Sequence, residues 1–178
     1  QSTYKYYYDM MMGLNKELKT NTVKSEKQIN NWISQSDVLA IFDKKKSILE
    51  EIIKKKKISE DEFNKLLDLV VLSLYVLSPP RRIIDYLDML IVKQKHTDNQ
   101  HNYLQRFDNK FVFNNYKTAG SYKQMVDDIP DELMKILDVY FRYHPLKKQM
   151  GKVSSTVPFL VKYGGEPLDV SNQITRIH

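Results

Sequence analysis

The sequence predicts an α+β protein: N-terminal helices followed by a mainly helical domain that carries a small three-stranded antiparallel sheet. Three stretches carry that prediction. "SEDEFNKLLDLVVLSLYVL" (59–77) opens with a capping box and continues with apolar residues at helical spacing. "NKFVFNNYKTAGSYKQMVDDIP" (109–130) alternates around a turn that contains Gly120. "DELMKILDVYFRYH" (131–144) returns to a helical apolar stripe.

Taken in order, residues 1–30 read as a polar helix or arm. The aromatic and methionine cluster from Tyr6 to Met12 is expected to pack on the rest of the fold, because such side chains fill gaps more often than they contact ligands. Ser34 and Asp37 stand where a helix start wants them, with Val38, Ile41, Ile48, Ile52 and Ile53 on one side. Trp32 precedes that cap and is expected to act as a hydrophobic staple. The lysine run 54–57 reads as a solvated helix end whose cations suit the dipole, or as a phosphate contact.

Ser59 and Glu62 form the S-x-x-E box of a helix from about Glu60 to Leu77, with Phe63, Leu66, Leu67, Val70, Val71 and Leu74 buried. Pro79 and Pro80 end it, since proline lacks a donor and forces its predecessor out of helical geometry. "IIDYLDMLIV" then finishes a short helix and enters a strand at Met89 to Val92, and "KQKHTDNQHNYLQRFD" (93–108) reads as a polar loop. "NKFVFNNYK" is a strand, "TAGS" a turn and "YKQMVDDIP" its partner strand. The helix from Asp128 to His144 has Pro130 in its first turn and Asp131 and Glu132 beside it, as the dipole prefers. Its stripe is Leu133, Ile136, Leu137, Tyr140 and Phe141. A loop, a buried segment "VPFLV", a turn "YGGEP" and the start of a further helix over 168–178 complete the chain.

Composition bounds the function. At 178 residues, 42% apolar and 28% charged, the chain can bury one good core or two small ones. No run reaches the roughly 18 apolar residues that span a bilayer, and the N-terminus does not read as a signal peptide, so an intracellular setting is expected. The absence of cysteine excludes disulfides, thiolate catalysis and cysteine-ligated zinc. Of the four histidines, His96 and His101 share a loop without a third ligand, His144 precedes Pro145, and His178 is terminal; neither a metal nor a cofactor is expected. No G-x-S-x-G, H-E-x-x-H or phosphate-binding glycine loop occurs. The formal charge of +6 favours polyanionic partners at moderate salt, although the abundance of Lys, Asn, Ile and Tyr also follows from AT-rich coding.

The residues with chemical potential are Arg81, Arg82 and Lys117. Directly after two prolines, an arginine stands at a new helix start, where free backbone donors and the dipole favour an anion. An ion pair to Asp85 or Asp88 accounts for it equally well. Lys117, at the hairpin tip, is by itself an exposed turn lysine.

In this order the residues resemble the catalytic domain of tyrosine recombinases, the phage integrase family, which shares its fold with type IB topoisomerases. "PPRRIIDY" is similar to the family's T-G-L-R-x-S-E-L box, with Pro80 on the glycine, Arg82 on the active arginine and Asp85 on the acid that braces it. A one-residue shift would place Arg81 there instead. "YKTAGSYKQMVDDIP" resembles the T-K-T-x-x-S-x-R-x-[VI]-P-L hairpin, with Lys117 on the active lysine, and "FLVKYGGEPLDVSNQITRI" resembles the later proline-leucine passage. "NWISQSDVLAIFDKKK" and "LYVLSPPRRIIDYLDM" are similar to a divergent branch found in large DNA viruses and their satellites.

The resemblance implies a helical core-binding-like segment over 1–65 and the front half of a catalytic domain over 66–178. It implies that Arg82 grips a scissile phosphate and that Lys117 protonates the departing 5'-oxygen. Arg81, Lys110 and Lys123 would contact DNA, and Asp85 would brace the arginine. No metal is used. The implied partners are double-stranded DNA and further copies on paired sites, in the host nucleus, a viral factory or a virion. The family's H-x-x-R box and tyrosine nucleophile find no match in these 178 residues. Since one oxyanion donor alone is worth about 10²–10³ in rate, the chain as given is not expected to cut DNA. The expected function is strand cleavage and rejoining through a 3'-phosphotyrosine in the complete protein. The alternatives are a viral structural or DNA-binding component on the same scaffold without its chemistry, and a basic α+β interaction module.

Overall fold

Three helix starts in this chain are written by serine. In the computed structural model, which describes residues 2–20, 24–93, 98–150, 152 and 156–169, with side chains only from residue 4 to 16 in the first segment, Ser25, Ser34 and Ser59 each accept a hydrogen bond from the backbone N–H three residues on. Gln28, Asp37 and Glu62 return the bond to the serine N–H, completing three capping boxes. His96, His178 and the helix expected over 168–178 fall outside the described residues, apart from Leu168 and Asp169.

The chain divides into two units, residues 1–38 and 39–178. The first holds α1 (Ser2–Thr20), α2 (Glu26–Asn30) and the start of α3 (Gln35–Lys46). Tyr6, Tyr7, Tyr8, Met10, Met11 and Met12 are all exposed, against the expectation that they pack. The reason is angular: six large side chains within seven consecutive residues surround a helix of 3.6 residues per turn, so no single face can bury them. Trp32 is exposed too, with the Lys24 ammonium 3.2 Å from its ring centroid. It is not a staple, because its N–H closes the end of α2 on the Ile29 carbonyl.

The division at Val38/Leu39 differs from the boundary expected near residue 65. Phe42, Ile48, Ile52 and Ile58 belong to the same buried cluster as Leu66, Leu67 and Val70, so the residues on either side of position 65 share one core. Ion pairs from Lys45 to Asp68 (3.1 Å) and from Lys46 to Glu132 repeat the connection. The stripe expected from Val38 to Ile53 is interrupted at Ser47, between α3 and α4 (Ile48–Ile52). That break resets the helical phase, which buries Phe42, Ile48 and Ile52 but leaves Ile41 and Ile53 exposed. The lysine run 54–57 is exposed, with Lys55 paired to Glu62; that partner's hydrogen bond is the chief cause holding the Glu62 carboxyl down at about 2.

α5 (Glu60–Val76) buries the six residues read from its periodicity. Each full burial contributes roughly 1.5–3 kcal/mol. The helix packs on α8 (Asp131–Tyr143), whose expected stripe is likewise buried. Between them in sequence come α6 (Ile83–Leu87), β1 (Met89–Val92), β2 (Asn102–Gln105), β3 (Lys110–Phe113), α7 (Ala119–Tyr122) and β4 (Met125–Asp128); α9 (Lys147–Met150) and β5 (Val157–Pro158) come after α8.

The fold is α+β as expected, but the sheet has five strands, not three, in the order β4-β3-β2-β1-β5. β1 and β2 are parallel; the other neighbours are antiparallel. The "polar loop" 93–108 conceals β2, and the "TAGS" turn is the short helix α7. Met89, Ile91, Leu104, Phe111 and Phe113 join the main core, where Tyr86 meets Phe111 and Phe113 edge to face at 5.6 and 5.7 Å. Leu90, Val92, Tyr103 and Val112 form a smaller cluster, placed on the opposite face by strand alternation. The Tyr103 hydroxyl donates to Asp98, so the connection from β1 to β2 is tied to this second cluster. The starts of β1, β2 and β4 and the ends of β3 and β5 lie at one end of the sheet.

His144 ends α8 fully buried. Its Nδ1 accepts the Leu146 N–H at 3.1 Å, and its Nε2 lies near the Phe159 and Pro158 carbonyls without forming a well-made hydrogen bond. Burial pushes the imidazole down to about 4, from an ordinary value of 6.5. The unfolded chain therefore binds a proton at higher pH than the native protein. The neutral ring's contribution is present above pH 6.5 and lost as pH falls through 4, an effect on the order of 3 kcal/mol. Denaturant unfolding of the parent and His144→Asn between pH 7 and pH 4 should show a smaller loss of stability in the variant; parallel pH profiles would refute the assignment.

Candidate functional site

The end of the sheet is organised by a buried asparagine. Asn102 opens β2 with its side chain out of solvent. Its Nδ2 donates to the carbonyls of Asp85 and Asn115, both at 2.9 Å. Its Oδ1 accepts the N–H groups of Asn114 and Asn115, both at 2.8 Å. One amide thus uses both donor protons and both acceptor lone pairs to join α6 to the segment leaving β3. Asn114 extends the network, donating to the His101 carbonyl at 2.8 Å and accepting from Gln124 at 2.7 Å.

The segments so joined carry the arginine pair and Lys117. Arg81 is committed to the fold. Its Nε and Nη2 donate to Asp127 Oδ2 at 3.2 and 2.6 Å, Nη1 reaches the Met125 sulfur at 3.4 Å, and the guanidinium lies 4.4 Å over the Phe113 ring. Only 13% of its side chain is exposed, and its donors face β4, so the residue expected to contact DNA is engaged within the fold. Arg82 is different. It precedes α6, its side chain is 48% exposed, and Nε and Nη2 fork onto Asp85 at 3.3 and 2.6 Å. The carboxylate, itself 6% exposed, fixes the guanidinium plane, and the remaining N–H groups have no partner among the described residues. Both sequence readings of Asp85, ion pair and brace, describe this one contact. α6 spans five residues, too few for the substantial dipole expected at its start.

Lys117 lies in the connection from β3 to β4, exposed and without a hydrogen bond or ion pair among the described residues. Lys123 closes α7 in the same connection with a left-handed φ of 59°, while its carbonyl accepts the Tyr116 hydroxyl at 2.7 Å. Its ammonium is likewise exposed. Lys110 is not brought here. It pairs with Asp128 at 3.6 Å and begins the strand whose other end is Phe113, about 10 Å away at a strand's rise per residue. The joined segments thus carry two exposed lysines and one braced arginine, a set that can hold an anion.

Tyr86, in α6, is buried away from any phosphate that Arg82 or Lys117 could meet in solvent, and desolvation pushes its phenol up to about 12. Among the described residues no group of three or more His, Asp or Glu is placed to hold a metal ion. No described helix is long and apolar enough to cross a membrane. Sequence reasoning missed Asn102, Asp127 and Asn115. The only signal for Asn102 is its place before "YL" in a stretch dominated by polar residues.

No family model matches the chain, and no curated protein or solved structure is similar to it at a significant level.

Asn102→Leu leaves the buried Asp85 carbonyl, the part-buried Asn115 carbonyl and the N–H groups of Asn114 and Asn115 without their partner, and should lower the unfolding free energy by about 1–3 kcal/mol in chemical denaturation. A loss below about 1 kcal/mol would mean that the amide does not organise this end. Arg81→Met and Asp127→Leu should each destabilise by about 1–3 kcal/mol, whereas the double variant should cost less than the sum. Additive losses in the same cycle would show that the two side chains are not coupled.

Proposed function

We propose that the chain is a DNA-contacting element of the tyrosine recombinase type, with Arg82 and Lys117 addressing one phosphate of a DNA strand. The observation that supports this most directly is the Asn102 amide, which holds the segments bearing these two cations together although they lie 35 positions apart. In a complete protein Arg82, braced by Asp85, would neutralise the charge that builds on the phosphoryl oxygens during attack by a tyrosine hydroxyl. Lys117 would deliver its proton to the departing 5'-oxygen, leaving a 3'-phosphotyrosine that the reverse step rejoins. Both groups have the required character, one a permanently charged fork and the other an exposed ammonium. The formal charge of +6 adds non-specific attraction for the duplex.

A second reading keeps the DNA contact and drops the chemistry, making the chain a DNA-binding or structural component. It is favoured by the site itself, where the described residues hold a braced arginine and a lysine but no metal-holding group, and the one tyrosine of α6, Tyr86, is buried.

Duplex binding measured between 50 and 200 mM salt should weaken steeply, and Arg82→Ala and Lys117→Ala should each reduce the logarithmic salt slope by about 0.9. Salt-independent binding, or slopes unchanged in both variants, would sink the DNA reading. Phosphotyrosyl trapping on a nicked suicide duplex, using the chain extended to its full reading frame, then separates the two versions. Cleavage that requires Arg82 and Lys117 supports the recombinase reading; no cleavage, or cleavage indifferent to both, leaves the binding component alone.

A further inference from the structure

Beside the Asn102 amide the same end of the sheet opens into a cavity of about 410 Å³, within the roughly 300–1,000 Å³ typical of ligand sites. Its apolar wall includes Leu90 and Pro158, which face each other across the β1–β5 pair. Its polar rim is Asp88, Gln100, His101 and Asn115. The backbone of this rim is occupied. Asn115 is held through both its N–H and its carbonyl by Asn102, the Gln100 N–H donates to Asp98, and the His101 carbonyl accepts from Asn114. The side-chain ends are less so. The Asp88 carboxylate and the Gln100 and Asn115 amides make no hydrogen bond or ion pair among the described residues, and the His101 ring has Nδ1 3.7 Å from Asp98 and lies edge-on to Tyr103, centroids 6.2 Å apart.

We propose that this cavity binds a nucleobase, and that it selects guanine. A flat heterocycle is what an apolar wall, an imidazole edge and two planar amides can hold together, since every base offers a π face for stacking and an edge of mixed donors and acceptors. The carboxylate decides among bases. Asp88 is an acceptor only when ionised, and of the four bases guanine presents two adjacent donors, N1–H and N2–H, that a carboxylate can take as a pair. Adenine and cytosine offer one amino group, and a thymine carbonyl would be repelled. Among the described residues no lysine or arginine lines the cavity, which favours a neutral ring over a phosphate. The cations lie on the neighbouring segments, Arg82 before α6 and Lys117 beyond Asn115. A strand whose phosphate meets those cations could place an unpaired base here, and this delivery of the base rests on the DNA reading. Recognition of the base itself does not.

The test therefore uses nucleosides, which carry no phosphate. Guanosine titrated into the full chain should shift the side-chain amide signals of Gln100 and Asn115 in ¹⁵N-resolved spectra. Inosine, which lacks the N2 amino group, should bind about tenfold more weakly, as expected for a lost hydrogen bond to a charged acceptor. Asp88→Asn, an exposed and nearly isosteric change, should erase the preference for guanosine over inosine while leaving the remaining amide spectrum in place. Equal binding of all four nucleosides, or no shift at Gln100 and Asn115, overturns the proposal. Guanosine selectivity without salt-dependent duplex binding would keep the pocket and remove the DNA reading, and the converse pattern would remove the pocket alone.

Discussion

A single buried amide holds one end of the sheet, where the candidate site lies, in register. Asn102 satisfies four backbone groups from two segments that have no strand partner of their own at that point. Without it, Asp85 would bury an unanswered carbonyl at the sheet's end, and the half-buried groups of Asn114 and Asn115 would lose their common partner. The residue before α6, the connection after β3 and the rim of the guanine-sized cavity are all reached from these four bonds within three residues. The placement of Arg82, Lys117 and Asp88 is therefore one structural fact with three consequences.

Around that point the protein separates the charges it uses for folding from those it leaves in solvent. Arg81 and Asp127 close α6 onto β4 with stacking on Phe113, a contact that excludes most water and leaves the guanidinium little to offer a ligand. One residue later, Arg82 keeps half its side chain in solvent, and its carboxylate partner is the buried member of the pair. The same dipeptide thus provides a structural cation and an available one. What divides them is the extended backbone at Arg82 (φ −67°, ψ 142°), because successive side chains along extended backbone point to opposite sides.

The core explains why the sheet could be larger than its sequence pattern implies. α5 and α8 supply a broad apolar surface, and Met89, Ile91, Leu104 and Phe111 meet it from strands of only four residues. β5 adds two residues to the edge beside β1, where Pro158 costs no ladder bond that the sheet requires. The parallel neighbours β1 and β2 are joined through residues 93–101, and Asp98 in that connection is tied to the second face by the Tyr103 hydroxyl.

What the sequence by itself determined is local. The capping serines, the stripes of α5 and α8, the stop at Pro79 and Pro80 and the strands at 89 and 110 all depend on neighbours within four residues, where periodicity and backbone chemistry act directly. The fork between Arg82 and Asp85 belongs to this class, since it spans three positions. Only the tertiary structure decided the rest. β2 is invisible in the sequence because Asn102 and Gln105 read as loop residues until burial shows them inside a sheet, and a parallel pairing leaves no turn signal. The commitment of Arg81 to Asp127 and the separation of Lys110 from Lys117 were settled by contacts or distances that no local pattern encodes. Long-range pairs of this kind form only once the core has brought their segments together, and it is there that the candidate site is assembled.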